Sequence, residues 1–145
     1  MKSTFRFFVL LLAITGILVS GCEPVEAPDD GGDSRDVFVG EWQIVESGLL
    51  KSVKGQTYSI TIAYDPANSS QVLLKNFGNS GDNNIYAKGV VTSKQIVVSS
   101  QKMSNGWTVE GNGMINNVAK TSMSWTISVT AGGDKETVSA TATKQ

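Results

Sequence analysis

Residues 57–64 read TYSITIAY, and in this stretch aromatic or branched apolar side chains alternate with small or polar ones. In an extended chain the two tyrosines and two isoleucines fall on one face, and threonine, serine and alanine fall on the other. This period of two is typical of a β-strand that buries one face. The stretch therefore predicts a strand from Thr57 to Tyr64, with both tyrosines on the inward face.

The same alternation recurs from Val37 to the C-terminus, and no window shows the 3.6-residue apolar stripe of an amphipathic helix. Short connections such as Asn105-Gly106 and Gly132-Gly133-Asp134 are typical of antiparallel hairpins. Eight strands are predicted: Val37–Ser47, Thr57–Tyr64, Gln71–Phe77, Asn84–Thr92, Lys94–Gln101, Trp107–Ile115, Thr121–Thr130 and Glu136–Thr143.

These elements predict an all-β domain over residues 37–145, built as an eight-stranded antiparallel up-and-down sheet. Closure into a barrel is favoured because it removes the two exposed sheet edges. A β-sandwich is the alternative, although its Greek-key crossings need longer loops than this sequence provides.

The N-terminal 21 residues have the composition of a secretory signal peptide. Lys2 and Arg6 provide a basic start, residues 7–18 are mainly apolar, and small residues precede Cys22. The apolar run is too short to cross a bilayer comfortably, which takes roughly 20 residues. Residues 1–21 are therefore expected to be removed.

Residues 22–36 have the composition of a tether. Six acidic side chains and one arginine lie between Glu23 and Asp36, together with two of the three prolines of the chain. Such a stretch buries too little apolar area to order itself, and its charges keep it extended.

Two resemblances suggest where the protein resides. Leu18-Val19-Ser20-Gly21-Cys22 resembles the lipobox of bacterial lipoproteins, which implies cleavage before Cys22, a diacylglycerol on its thiol and acylation of its amine. The acidic stretch after it resembles the surface-export signal of Bacteroidota lipoproteins. Together they imply a lipid anchor in the outer membrane with the domain facing the cell exterior, the periplasmic face being the alternative.

A third resemblance concerns the fold. Gly40-Glu41-Trp42 resembles the Gly-x-Trp motif of lipocalins and related calycins. In that family the Trp closes one end of the barrel, and a basic side chain from late in the barrel packs over it. Lys144 has the matching position. As a whole the chain is similar to small lipocalin-like lipoproteins of Bacteroidota.

The candidate site consists of large aromatic residues on the presumed inward faces, which either line a ligand or form the core. Small residues also point inward, so they either leave a cavity or interlock with the aromatic rings. The aromatic set is Trp42, Tyr58, Tyr64, Trp107 and Trp125, and the small set is Ala87, Gly89, Gly111, Gly113, Ala140 and Ala142.

Several function classes are disfavoured by composition. The chain has no histidine, and its one cysteine is the expected lipid carrier, which argues against imidazole catalysis and a Cys/His zinc site. We expect no enzyme activity, no metal and no cofactor. With 12 basic and 13 acidic residues, no nucleic-acid partner is expected. The favoured function is a binding module for a small apolar molecule or a glycan. The alternative is a solid barrel that docks an envelope partner or inhibits a foreign enzyme.

Overall fold

The structure is a computed structural model that describes residues 32–47 and 55–145. The predicted signal peptide, Cys22 and most of the predicted tether lie outside the described residues. Within those residues no helix is long and apolar enough to cross a bilayer. The strands are β1 (Gly40–Ser47), β2 (Thr57–Tyr64), β3 (Gln71–Lys75), β4 (Tyr86–Thr92), β5 (Gln95–Lys102), β6 (Thr108–Ile115), β7 (Ser122–Ala131) and β8 (Asp134–Lys144).

The strands form a closed barrel in which each pairs antiparallel with its neighbours in sequence. β8 completes the circle by pairing with β1, for example at Ile44 opposite Ala142. The prediction of an all-β up-and-down barrel is therefore confirmed, and the alternative sandwich is not the fold. The bounds of β2 agree with the prediction at both ends, since its alternation is the most regular in the chain.

β1 and β3 are shorter than predicted because the backbone turns. β1 begins at Gly40 rather than Val37, since the preceding residues form turns in which the amide of Phe38 donates to the carbonyl of Arg35 at 2.9 Å. β3 ends at Lys75 rather than Phe77, since Asn76 has a φ of 58°. That left-handed conformation ends a strand and is tolerated by asparagine better than by most residues.

The side chain of Gln101 links β5 to β4 beyond Val90 and Val97, where the backbone pairing of these two strands ends. The register between β5 and β6 shifts at the same place, between Val98 and Gln101. The side-chain carbonyl of Gln101 accepts from the amide of Lys88 at 2.9 Å, and its amide donates to the carbonyl of Lys88 at 2.7 Å. The Gln101 side chain thus supplies two hydrogen bonds that a partner strand would otherwise supply.

The middle of the barrel is filled, because glycines make room for large side chains. A Cβ added at Gly113 would lie 2.5 Å from the indole of Trp125, and one at Gly111 would lie 2.9 Å from the ring of Phe77. These two rings pack edge to face, with centroids 5.4 Å apart. The small inward residues therefore interlock with the aromatic rings, as one of the two sequence-based interpretations predicted.

The two ends of the barrel differ. At one end, which we call the closed end, residues 33–39 lie next to the β2–β3 turn. At the other, which we call the open end, lie the loop of residues 76–85 and the tight β7–β8 turn, where Gly132 and Gly133 both have positive φ. The last residue of β1, Ser47, and the first residue of β2, Thr57, also lie at the open end; residues 48–54 lie outside the described residues.

Candidate functional site

The closed end is sealed by Trp42, which is fully buried. Its indole Nε1 donates to the carbonyl of Phe38 at 2.7 Å. The ammonium of Lys144 lies over the indole, 5.5 Å from the ring centroid, and donates to the carbonyl of Val37 at 3.2 Å. The predicted position of Lys144 over Trp42 is therefore confirmed, and the favourable contact is a cation–π interaction.

An arginine fastens residues 33–39 to this end. The guanidinium of Arg35, 9 % exposed, binds the carboxylate of Asp33 and donates to the carbonyls of Asn68 and Gln71 at 3.1 and 3.3 Å. Its hydrogen bond to Asp33 lowers the pKa of that carboxyl group to about 2. The compact unit consequently begins at Gly32, whereas the sequence analysis placed Asp33 and Arg35 in the tether.

The prediction that Tyr64 faces the interior is wrong. Its side chain is 44 % exposed. It lies at the last position of β2, where the barrel wall ends, and Arg35 stacks on its ring at 4.8 Å from the centroid. Its hydroxyl donates to Asp36 at 2.7 Å, and this bond raises the pKa of Tyr64. Tyr64 therefore helps to hold the N-terminal segment and does not line the interior.

A pocket of about 460 Å³ occupies the open end, and we call it the mouth pocket. Its volume falls within the range of small-molecule sites, roughly 300–1,000 Å³. One part of its wall is apolar or lacks a side chain: Gly78, Trp107, Ile127, Val129, Ala131 and Val138. The other part is polar or charged: Glu46, Gln56, Asn79, Asp134, Lys135 and Glu136.

Strand register explains why acidic and apolar side chains share this pocket. On β8 the inward face of Ala140 and Ala142 continues through Val138 to Glu136, because side chains two apart share a face. Glu136 pairs with Val129 of β7 and Val138 pairs with Ile127. Toward the open end, the buried alanines of β8 are thus followed by half-buried Val138 and then by exposed Glu136, while Ile127 and Val129 opposite them on β7 remain apolar.

Glu46 lies deepest among the acidic residues. It occupies the inward face of β1 after Trp42 and Ile44, pairs in register with Ala140 of β8, and is half-buried. Along β8, Ala140 is six residues from Asp134, which corresponds to about 20 Å of strand. The pocket therefore has a carboxylate at its floor and others at its rim, with an apolar wall between them.

The hydroxyl of Tyr58 points toward Glu46. Tyr58 is 8 % exposed, and within the described part of the chain its hydroxyl has no hydrogen-bond partner. Burial and the nearby negative charge of Glu46 raise the pKa of Tyr58 strongly, so the hydroxyl stays protonated. The hydroxyl is thus a neutral, buried polar group behind Glu46, and Glu46 belongs to the pocket wall.

The other predicted aromatic residues have separate roles. Trp42 and Trp125 belong to the filled core, with exposed fractions of 0 and 2 %. Trp107 precedes β6, is half-buried and forms part of the mouth pocket. The five aromatic residues are thus divided among the core, the pocket and the closed end, and do not form one ligand-lining set.

The sequence analysis missed the acidic residues of the pocket, although a signal for them was present. Glu46 shares its alternation phase with Trp42, and Glu136 shares its phase with Ala140. Charged side chains on the inward phase at strand ends mark the rim of a barrel. The register that brings β1 and β8 together at the same end could not be read from one strand alone.

A second depression of about 560 Å³ lies on the outer face of β6, β7 and β8. Its wall includes outward-facing Asn112, Ser124, Thr126, Ser139 and Thr141. Exposed Met114 adds an apolar side chain to this wall, but the depression is more open to solvent than the mouth pocket, so the mouth pocket is the better candidate despite its smaller volume.

Comparisons with known proteins support the fold. The chain matches no known family model, and it matches no curated protein. It is similar to a redesigned β-barrel, with a TM-score of 0.52 and 15 % identity over 78 % of this chain and 96 % of the other. It also matches a protein solved as EF1p2_mFAP2b bound to DFHBI, with a TM-score of 0.47 and 14 % identity over 79 % of this chain and 100 % of the other. At these identities the similarity concerns the barrel fold alone.

Proposed function

We propose that this protein is a binding module that takes a small molecule with an apolar portion, or a glycan, at the open end of its barrel. The mouth pocket carries this proposal. Its volume of about 460 Å³ suits a small ligand. The half-buried Trp107 offers an aromatic face for either class of ligand, and Ile127 and Val129 offer an apolar one.

The filled middle of the barrel confines the proposed site to the mouth. Gly111 and Gly113 accept the rings of Phe77 and Trp125, so a ligand cannot pass below them. The absence of histidine from the sequence supports binding rather than catalysis. We propose no cofactor and no metal for this role.

Dye binding tests the proposal. The purified protein is titrated with Nile red, an uncharged fluorophore that brightens in apolar surroundings. Ala131→Trp places a large side chain at the half-buried rim of the mouth pocket and should abolish the fluorescence increase. Val118→Trp is the matched control, because Val118 is 99 % exposed in the β6–β7 connection at the closed end. Equal dye binding by both variants would contradict the proposal.

A second candidate is a solid barrel that docks an envelope partner or inhibits a foreign enzyme. The interlocked core favours it, because the interior contributes rigidity rather than ligand space. The dye titration separates the two candidates. A protein that binds no apolar probe at its mouth but retains a rigid, cooperative fold fits the docking role better.

We also propose that the barrel is anchored in the outer membrane through a lipid on Cys22. The lipobox-like residues before Cys22, which is the only cysteine of the chain, support this. Multiple acyl chains give stable anchoring, whereas one chain binds only marginally. Cys22→Ser should prevent palmitate labelling and remove the protein from the membrane fraction or trap an uncleaved precursor. Unchanged partitioning into the detergent phase would contradict the anchor.

Exposure at the cell exterior is the proposed orientation, with the periplasmic face as the alternative. It is supported by the acidic residues that follow Cys22. Neutralising Asp29 and Asp30 should reduce digestion by protease added to whole cells. Asp33 is left unchanged in this test, because it binds Arg35 and its loss would alter the domain as well.

A further inference from the structure

The mouth pocket carries an excess of negative charge. Three carboxylates, those of Glu46, Asp134 and Glu136, belong to its wall. Its one basic wall residue, Lys135, forms an ion pair with Glu110 at 2.6 Å on the outer face of the barrel. The positive charge of Lys135 is therefore directed to the outer face, and none of the three carboxylates takes part in an ion pair of the described residues.

The three carboxylates differ in how far they are exposed to water. Asp134 and Glu136 are exposed near the rim, where water screens their charges. Glu46 is half-buried at the floor, where the lower local dielectric strengthens its attraction for a cation. A cationic group that reaches the floor is therefore bound more strongly than a cationic group held at the rim.

The Tyr58 hydroxyl is a second polar group near the floor, behind Glu46 and outside the pocket wall itself. It is more than nine-tenths buried, lies beside Glu46, and has no partner among the described residues. A buried hydroxyl without a hydrogen bond is costly, so it favours a ligand that supplies one. An ammonium group can donate to both the Tyr58 hydroxyl and the Glu46 carboxylate.

The arrangement suits an organic cation better than a metal ion. Among the described residues no three carboxylate, cysteine or histidine side chains form a group that could hold a metal ion. Between the floor and the rim, Ile127, Val129 and Val138 provide an apolar wall beside Trp107. A ligand that fits both parts has a cationic group and an apolar body.

We propose that the mouth pocket selects cationic amphiphiles such as alkylamines, with the ammonium group bound by Glu46 and Tyr58 and the apolar body lying against Trp107, Ile127 and Val129. This inference rests on the proposed binding function and specifies the ligand class of the same pocket.

Three probes that share an eight-carbon chain test the charge preference: octylamine, octanol and octanoate, each titrated calorimetrically into the purified protein at neutral pH. Octylamine should bind most tightly and octanoate most weakly. Glu46→Gln should weaken octylamine binding about tenfold, the factor expected for a lost hydrogen bond between charged groups, and leave octanol binding unchanged. Tyr58→Phe should also weaken octylamine binding selectively.

Glu41→Gln is the matched control, because Glu41 lies on the same strand as Glu46 but is exposed on its outer face near the closed end. It should leave all three affinities unchanged. Because Glu46→Gln could impair folding, two further measurements are included. Glu136→Gln removes an exposed carboxylate and should weaken octylamine binding alone. Salt should weaken the binding of octylamine but not of octanol.

The outcomes separate the two proposals. If octanol binds as tightly as octylamine, the pocket binds ligands but does not select cations, and the inference is wrong. The same conclusion follows if Glu41→Gln reduces octylamine binding as much as Glu46→Gln and Glu136→Gln do. If none of the three probes saturates a folded protein, the proposed binding function itself fails.

Discussion

Trp42 and Glu41 are neighbours on β1 but face opposite sides of the barrel wall. Trp42 is fully buried and hydrogen-bonded to Phe38, and Glu41 is exposed. Trp42→Ala should therefore lower the free energy of unfolding by about 3–5 kcal/mol, because it removes a large core side chain. Glu41→Ala should change it by no more than about 0.5 kcal/mol.

Urea unfolding monitored by circular dichroism measures both changes. Lys144 is expected to contribute through its contact with the Trp42 ring, so Lys144→Ala should give an intermediate loss. Similar stability of the Trp42→Ala and wild-type proteins would mean that the Gly-x-Trp motif does not seal this barrel.

Replacing Gly113 by alanine should change the stability of the domain in the direction opposite to the usual one. Replacing glycine by alanine within a strand usually helps, because glycine weakens strands. At Gly113 the added methyl group would lie 2.5 Å from the Trp125 indole. Gly113→Ala should therefore destabilise the domain by about 1–3 kcal/mol, the usual cost of overpacking.

A double-mutant cycle identifies the cause. Trp125→Leu removes the indole, so the cost of Gly113→Ala should fall in that background. Equal costs in both backgrounds, measured by urea unfolding, would show that the Gly113–Trp125 contact does not explain the glycine.

At the scale of elements, the sequence predicted the strands well because their burial is one-sided. β4 alternates throughout between inward and outward side chains, and β2 does so as far as Ile62, so their registers follow from the pattern. The errors occur where the chain leaves the sheet. Phe77 was assigned to a strand, but it follows the left-handed residue Asn76 and enters the core from a loop.

The pocket was harder to predict than the fold for a related reason. Its wall combines residues of β1, β7 and β8 with Gly78 and Asn79 of a loop. Alternation shows on which face of the sheet a residue lies, but it does not show which strands come together at one end of the barrel. Asp65 illustrates the same limit, since this turn carboxylate is 4 % exposed and paired with Lys88 of another strand at 2.9 Å.

The N-terminal segment and the β2–β3 turn should make the domain sensitive to acid. The hydrogen bond from Arg35 lowers the pKa of Asp33 to about 2, and that from Lys88 lowers the pKa of Asp65. A carboxyl group in an unfolded chain has a pKa near 3.9. Since the folded values are lower, these groups stabilise the fold above about pH 4, and this contribution is lost as the pH falls toward 2.

Urea unfolding at a series of pH values measures this loss. The free energy of unfolding should decrease between about pH 4 and pH 2. Asp33→Asn should be less stable than wild type at neutral pH but lose less stability across that window. An identical pH dependence of variant and wild type would show that Asp33 does not contribute to the acid sensitivity of the domain.

At the scale of the whole molecule, the N-terminal segment and the pocket lie at opposite ends of the barrel. Arg35 contacts the β2–β3 turn at the closed end, and Glu46 lies in the mouth pocket at the open end. The first described residues are therefore fastened at the end of the barrel away from the mouth pocket.

Where the folded domain begins can be tested with two shortened chains. A chain starting at Gly32 retains Asp33 and Arg35, whereas one starting at Val37 loses the guanidinium that donates to the carbonyls of Asn68 and Gln71. Both retain every strand. The chain starting at Val37 should melt roughly 5 °C or more below the other, because it loses the hydrogen bonds from Arg35 to the turn and the stacking of Arg35 on Tyr64. Thermal melting followed by circular dichroism measures the difference, and the mouth pocket of both chains should bind Nile red equally well below the melting range. Equal melting temperatures would mean that the domain starts at Val37, as composition alone suggested, and that the Arg35 contacts add nothing to its stability.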